Sequence, residues 1–299
     1  MNPKSVFTGV FCAIVTPLHQ GKVDFRRFQM HIQTLLADGC DGLLISGTTG
    51  EGQSFDLSER SELIAAAREV SGPMVLLAGT GCASLPETIQ TTRRAYELSV
   101  DGVLLVPPFF FPNVTTDGLF EYFRIVFEEA VPAAGGAMLY HIPQVTGIPI
   151  TVELLERMQD QVGGKLVGVK DSSGDRDGFL DLCRRFPDLR IFAGVDDLLL
   201  EGLQAGSAGC ITAEANILAP QAAALIKAFR SGDDAQTWQD LLVKARIVLP
   251  HTPFPVAMKG LLAEHYKDPA WLEVRPPLMP LAAEDQSLLV EELRQLDLI

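Results

Sequence analysis

The chain has 299 residues, of which 47% are apolar and 21% charged. That describes a globular protein with a large core rather than a disordered one, and a single (β/α)8 barrel uses about 250 residues. Its formal net charge of −14 argues against a nucleic-acid binder, which needs a basic face. An anionic small substrate remains compatible, because a local site can be positive inside an acidic protein.

The first apolar stretch, residues 6–15, follows Lys4 and superficially resembles a short signal peptide. It is followed by Thr16-Pro17 instead of a small-residue cleavage site, so it reads as a first strand. Short apolar runs then recur. They cover residues 9–15, 42–46, 74–78, 102–106, 137–141, 166–170, 190–193 and 209–212. Most are continuously apolar, as expected of parallel strands covered on both faces. Amphipathic stretches lie between them. One covers 25–37 behind Asp24 as N-cap, and another follows Ser84 with Glu87 in a capping-box pattern. Thr151 and Pro220 are expected to open two more helices, and Gly39, Gly72, Gly102 and Gly206 to end others. Eight strand–helix alternations predict an α/β fold of the (β/α)8 TIM-barrel type rather than an open doubly wound sheet.

The barrel is expected to fill residues 1–230. Residues 231–299 are expected to form a small C-terminal helical domain, with helices over 235–249, 255–265 and 288–298. Pro250, Pro253, Pro255 and the Pro276-Pro277 pair would interrupt it. The cysteines Cys12, Cys40, Cys82, Cys183 and Cys210 are scattered and never form C-x-x-C. They read as buried thiols of a reducing, cytoplasmic compartment, with no zinc site and no disulfide framework. No apolar run reaches the ~18 residues of a spanning helix.

Barrel active sites form at the C-terminal strand ends. The second run leads into Gly47-Thr48-Thr49-Gly50-Glu51-Gly52, whose N–H groups and two threonine hydroxyls suit a carboxylate. No lysine follows as in a phosphate loop, and an ordinary strand–helix connection is the alternative. The sixth run ends in Lys170. Burial lowers an ammonium pKa and frees an amine that can form a Schiff base with a ketone. A lysine that snorkels or pairs with Asp171 is the alternative. The fifth run places Tyr140 one strand away, about 4.8 Å across the sheet, where a phenol can relay protons. His141 points to the opposite side and reads as a structural hydrogen-bonder. The loops after the last two runs, with Asp196 and Asp197, could hold polar parts of a substrate or cap a helix near Leu198.

Together, Gly47–Glu51, Tyr140–Pro143 and Val167–Gly174 resemble the dihydrodipicolinate synthase / N-acetylneuraminate lyase family. Residues 107–111 and 193–197 extend the likeness along nearly the whole chain. The resemblance implies a (β/α)8 barrel with a C-terminal helical domain, usually tetrameric, that runs class I pyruvate-dependent aldolase chemistry with no metal and no organic cofactor. It implies that Lys170 forms the imine with pyruvate or another 2-oxo acid and that Tyr140 shuttles protons. Thr48 and Thr49 would bind the substrate carboxylate and help order Tyr140. Gly194 and Ile211 would line the pocket through backbone groups, and Ser172 and Asp196 would bond substrate hydroxyls.

Two departures carry weight. Where the lysine-pathway synthases place an arginine for a second carboxylate, this chain has Val145. Where most members place a relay tyrosine from a neighbouring subunit, it has Phe110. His141 also replaces the family's asparagine. The expected reaction is reversible cleavage of a 2-oxo acid to pyruvate and an aldehyde. The substrate would be a 2-keto-3-deoxy sugar acid or 4-hydroxy-2-oxoglutarate. A synthase or sugar-acid dehydratase on the same imine is one alternative, and a non-catalytic 2-oxo-acid-binding protein is another. A metal-dependent aldolase ranks low, because His19, His31, His141, His251 and His265 lack ligand spacing. The exposed aromatics expected at Phe109–Phe111 favour a homo-oligomer, dimer or tetramer.

Overall fold

A computed structural model describes residues 6–249, 254–296 and 298. Lys4, Pro250, His251 and Pro253, which figure in the sequence reading, lie outside them. Each apolar run folds as a parallel strand covered inside by the barrel interior and outside by helices. The strands are β1 (Gly9–Ala13), β2 (Gly42–Ile45), β3 (Val75–Gly79), β4 (Gly102–Leu105), β5 (Gly136–His141), β6 (Leu166–Asp171), β7 (Arg190–Ala193) and β8 (Gly209–Thr212). They pair in chain order, and β1 closes the barrel against both β2 and β8. Phe11, Leu44, Leu77, Leu104, Met138, Phe192 and Ile211 pack together inside the barrel. This is a filled (β/α)8 barrel, so chemistry is confined to its rim.

The barrel helices are α1 (Phe25–Ala37), α2 (Leu57–Val70), α3 (Leu85–Glu97), α4 (Thr116–Ala130), α5 (Pro143–Thr146), α6 (Val152–Val162), α7 (Arg176–Arg185), α8 (Leu199–Ala205) and α9 (Ala215–Ser231). Asp24 caps α1 by accepting from Arg27 N at 3.0 Å, and Thr151 caps α6 through Leu154 N at 3.2 Å. Two local expectations need correction. Ser84 accepts from Glu87 N, but the Glu87 carboxylate takes the Ser84 hydroxyl, so the reciprocal half of the capping box is missing. Gly102 starts β4 instead of ending a helix, and Ser99 takes the positive φ of that turn. The backbone of α9 is non-helical at Leu218, so its longer part, 219–231, is in effect a second helix with Pro220 in its first turn, as expected. A small hairpin, Leu18–His19 with Lys22–Val23, was not anticipated. Gln20 and Gly21 both have positive φ, which such a two-residue turn requires.

Beyond α9 lie α10 (Gln236–Val248), α11 (Phe254–His265) and α12 (Ala283–Gln295). The last begins five residues before the expected 288 and ends at 295. Glu284 and Asp285 sit in its first turn, where acids favour a helix start, and apolar spacing alone does not register them. Among the described residues, no helix is long and apolar enough to cross a membrane.

The segment after α11 is tied to the barrel through His31 of α1. Its Nε2–H donates to Asn216 Oδ1 at 3.0 Å, and its Nδ1 accepts the Tyr266 hydroxyl at 2.9 Å. The direction follows from Asn216, whose Nδ2 donates to Ala13 O and Ala213 O. Burial pushes His31 down from 6.5 to about 4. A folded pKa below the unfolded one means that unfolding takes up a proton. This stability is therefore complete above about pH 6.5 and lost as pH falls toward 4. Between about pH 7.5 and pH 4.5 the loss should be about 2–3 kcal/mol. Urea unfolding of the wild type against His31→Gln checks it: the stability difference between the two should narrow in acid, and an unchanged difference would contradict the assignment.

Candidate active site at the barrel rim

β5 and β6 pair with Tyr140 directly opposite Lys170. Both are buried, at 6% and 4% exposure. The Lys170 Nζ lies 4.4 Å from the centroid of the Tyr140 ring, where a cation meets the negative face of the π-system. Lys170 therefore does not snorkel. The Asp171 carboxylate is engaged elsewhere, accepting from Ser173 N at 2.8 Å and Ser173 Oγ at 2.6 Å. Ser172 Oγ donates to the Tyr140 hydroxyl at 3.3 Å. Ser172 is itself fixed at both backbone ends, its N–H on His141 O at 2.9 Å and its C=O on Gln144 Nε2 at 2.6 Å. Gly194 N donates to Asp171 O at 2.7 Å, and a Cβ on Gly194 would lie 1.9 Å from Ser172 Oγ. Only glycine allows β7 this close to the serine. His141 faces outward, as strand alternation requires, and its Nδ1 accepts from Ile150 N at 3.0 Å.

The loop after β2 is held from several sides. Ser46 and Glu51 both adopt positive φ, and a Cβ on Gly52 would meet Ser46 O at 1.9 Å. Glu51 N and Gly52 N are used inside the loop, on Thr48 O and Gly47 O. Thr49 is buried and Thr48 exposed. The Tyr140 hydroxyl is bonded to Ser172, so the structure does not display a Thr48–Tyr140 bond among the described residues. Glu51 is not a free acid. It forms an ion pair with Lys259 of α11 in which both side chains are fully buried, and it accepts from Arg275 N at 3.0 Å. The Lys259 Nζ also donates to Glu273 O at 2.7 Å. Sequence reasoning missed this clamp. Its one signal is a single lysine inside 255–263, where every residue is buried.

At the ends of β7 and β8, Ile211 and Asp196 are buried. Asp196 opens a 3-10 turn, Asp196–Leu198, and neither it nor Asp197 caps α8, whose N-cap Leu198 carries no side-chain bond. Gln239 of α10 grips this turn, donating to Asp196 O at 3.1 Å and Asp197 O at 3.0 Å and accepting from Leu200 N at 2.8 Å. Glu214, just before α9, lies 2.8 Å from Arg246 of α10. Burial first, and then the neighbouring Glu214, hold Asp196 well above the usual carboxylate range. Glu214 is also raised by burial, but Arg246 opposes the shift. Glu214, Arg246 and Gln239 were not singled out in the sequence. Val145 is 63% exposed on α5, and Phe110 and Phe111 are 71% and 66% exposed. Among the described residues, no group of three or more His, Cys, Asp or Glu side chains is placed to hold a metal ion.

A closed parallel barrel with a buried lysine, a facing tyrosine and a threonine-bearing loop at one rim defines a class of enzyme barrel. Comparison with known proteins narrows it. The model of the dihydrodipicolinate synthetase family matches residues 6–296. An uncharacterized DapA-like lyase of Chloroflexus aurantiacus is 37% identical over 94% of both chains. A 4-hydroxy-tetrahydrodipicolinate synthase of Geotalea uraniireducens is 32% identical over 98% of this chain and 100% of its own. Among solved structures, YagE, a prophage protein of the dihydrodipicolinic acid synthase family from E. coli K12 in complex with pyruvate, superposes with a TM-score of 0.91. It is 27% identical, over 98% of this chain and 99% of its own.

The chain belongs to the dihydrodipicolinate synthetase family. It is an enzyme of the lyase class, within the class I pyruvate-dependent aldolases.

Proposed function

We propose that this enzyme cleaves a 2-keto-3-deoxy sugar acid or 4-hydroxy-2-oxoglutarate to pyruvate and an aldehyde. The observation that carries the reading is Lys170, 4% exposed and stacked against Tyr140. Lys170 Nζ adds to the C2 carbonyl and water leaves, forming an imine. Tyr140 accepts the proton of the C4 hydroxyl as the C3–C4 bond breaks. The bonding electrons pass into the imine as an enamine, and the aldehyde departs. Protonation at C3 and hydrolysis then release pyruvate and free lysine. Thr48 and Thr49 hold the substrate carboxylate and fix its orientation. Ser172 orients Tyr140 and, with Gly194, Ile211 and Asp196, borders the rest of the substrate.

Synthase chemistry with a second carboxylate is the weaker reading, because exposed apolar Val145 offers no charge to pair with one. On the favoured reading, residues 1–230 are the catalytic barrel and 231–299 a helical unit that braces its loops. The exposed Phe110 and Phe111 are where a second copy of the chain packs. A panel of 2-oxo acids tests the reaction, with pyruvate read by coupled reduction and other products by mass spectrometry. Pyruvate plus an aldehyde is expected. A deoxy-oxo acid without pyruvate would make the enzyme a dehydratase, and binding of pyruvate without any turnover would make it a binding protein.

A further inference from the structure

The peptide that joins Gly50 to Glu51 follows the threonine pair directly in the chain, and it is held from both sides. Its N–H, on Glu51, donates to Thr48 O at 3.1 Å inside the loop. Its C=O, on Gly50, accepts from Thr16 Oγ1 at 2.8 Å. Thr16 is 1% exposed and Gly50 is buried, so this bond is closed off from solvent. A single hydrogen-bond chain thus runs from the Thr16 hydroxyl through one peptide plane to Thr48. The backbone around Thr16 is fixed in turn. Ile14 N donates to Leu44 O at 3.2 Å, Val15 N to Asn216 Oδ1 at 3.2 Å and Asp24 N to Pro17 O at 2.9 Å. Asn216 also donates to Ala13 O at 2.9 Å. A Cβ on Gly50 would lie 2.8 Å from Ile14 O, so a glycine is what lets the loop approach the exit of β1 closely enough for the bond. The Glu51–Lys259 pair holds the next residue by its side chain; Thr16 holds the backbone.

We propose that Thr16 is a positioning residue for carboxylate recognition: its hydroxyl fixes the Gly50–Glu51 peptide and, through it, the backbone of Thr48 and Thr49. Thr16 acts through the loop rather than on the substrate. The consequence for the substrate rests on the function proposed above, in which the two threonines hold the carboxylate of a 2-oxo acid; the hold on the loop does not. Thr16→Val keeps the shape and removes the donor, which leaves Gly50 O buried without a partner and frees the peptide plane to turn. Thr16→Ser keeps the donor.

The test compares pyruvate with acetone, a ketone that lacks the carboxylate. Each is trapped on Lys170 by borohydride and read by peptide mass spectrometry. In Thr16→Val the half-saturating pyruvate concentration should rise about tenfold, the equivalent of one lost hydrogen bond. Trapping of acetone should stay at the wild-type level, and Thr16→Ser should return pyruvate toward the wild-type value. A merely structural role would weaken both ketones alike. That outcome, an unchanged pyruvate requirement in Thr16→Val, or a Thr16→Ser no better than Thr16→Val overturns the proposal. Hydrogen exchange over residues 47–52 supplies a readout that needs no substrate. It should speed up in Thr16→Val and slow again in Thr16→Ser; exchange that stays at the wild-type rate in Thr16→Val contradicts the hold on the loop. Should Thr16→Val fail to fold, Thr16→Cys takes its place with the same expectations, since a thiol is a weak donor. If exchange responds as expected but the wild type traps no pyruvate, the proposed function fails and the role of Thr16 in the loop stands.

Discussion

Lys170→Ala should lower turnover of any 2-oxo acid substrate by about 10⁴-fold or more, because removal of a covalent nucleophile leaves only binding and orientation. Lys170→Arg should be as inactive, although it keeps the positive charge. A guanidinium stays protonated and cannot add to a ketone. The pair of variants therefore separates nucleophilic from electrostatic roles. Both should keep the barrel's circular dichroism and cooperative unfolding, since Lys170 closes a strand at the rim, above the packed interior of Phe11, Leu44, Met138 and Phe192. Measurable pyruvate release by Lys170→Ala would remove the lysine from the mechanism. Activity retained by Lys170→Arg alone would reduce it to a fixed charge.

The largest stability effect is expected at Lys259. Its ammonium and the Glu51 carboxylate form an ion pair in which neither side chain is exposed. Burial lowers Lys259, and Glu51 opposes the shift. Lys259→Met removes one partner and strands the other charge in the interior. Breaking a buried pair in this way costs about 3–5 kcal/mol. Glu51 keeps Arg275 N, but Glu273 O loses its donor. The double variant Lys259→Met with Glu51→Gln should recover much of the loss, because no unpaired charge remains. Denaturant unfolding of the wild type and the two variants measures this. Lys259→Met should also raise KM for a 2-oxo acid, because Glu51 anchors the loop that carries Thr48 and Thr49. A loss below about 1 kcal/mol would show the pair to be dispensable.

How much of this was readable in the chain depends on range. The eight strands announce themselves because a strand covered on both faces must be apolar throughout, and Lys170 stands out because it ends one. Tyr140 becomes its neighbour by barrel order alone, and the structure sets the two opposite each other. Local features that depend on competition were less readable. The Ser84–Glu87 spacing fits a capping box, yet the glutamate chooses the hydroxyl. Distant partners were not readable at all. Glu51 and Lys259 lie 208 positions apart, and Glu214 and Arg246 lie 32 apart. No periodicity links them; only the packing of α10 and α11 against the barrel rim brings each cation to its acid. The same limit applies to Ser172, whose bond to Tyr140 needs the close approach that Gly194 permits.

Borohydride reduction in the presence of pyruvate, followed by peptide mass spectrometry, tests the central claim most directly. A reduced pyruvate adduct on Lys170, and on no other lysine, is the predicted result. A folded enzyme whose Lys170 peptide stays unmodified while it still releases pyruvate from substrate would contradict the imine mechanism.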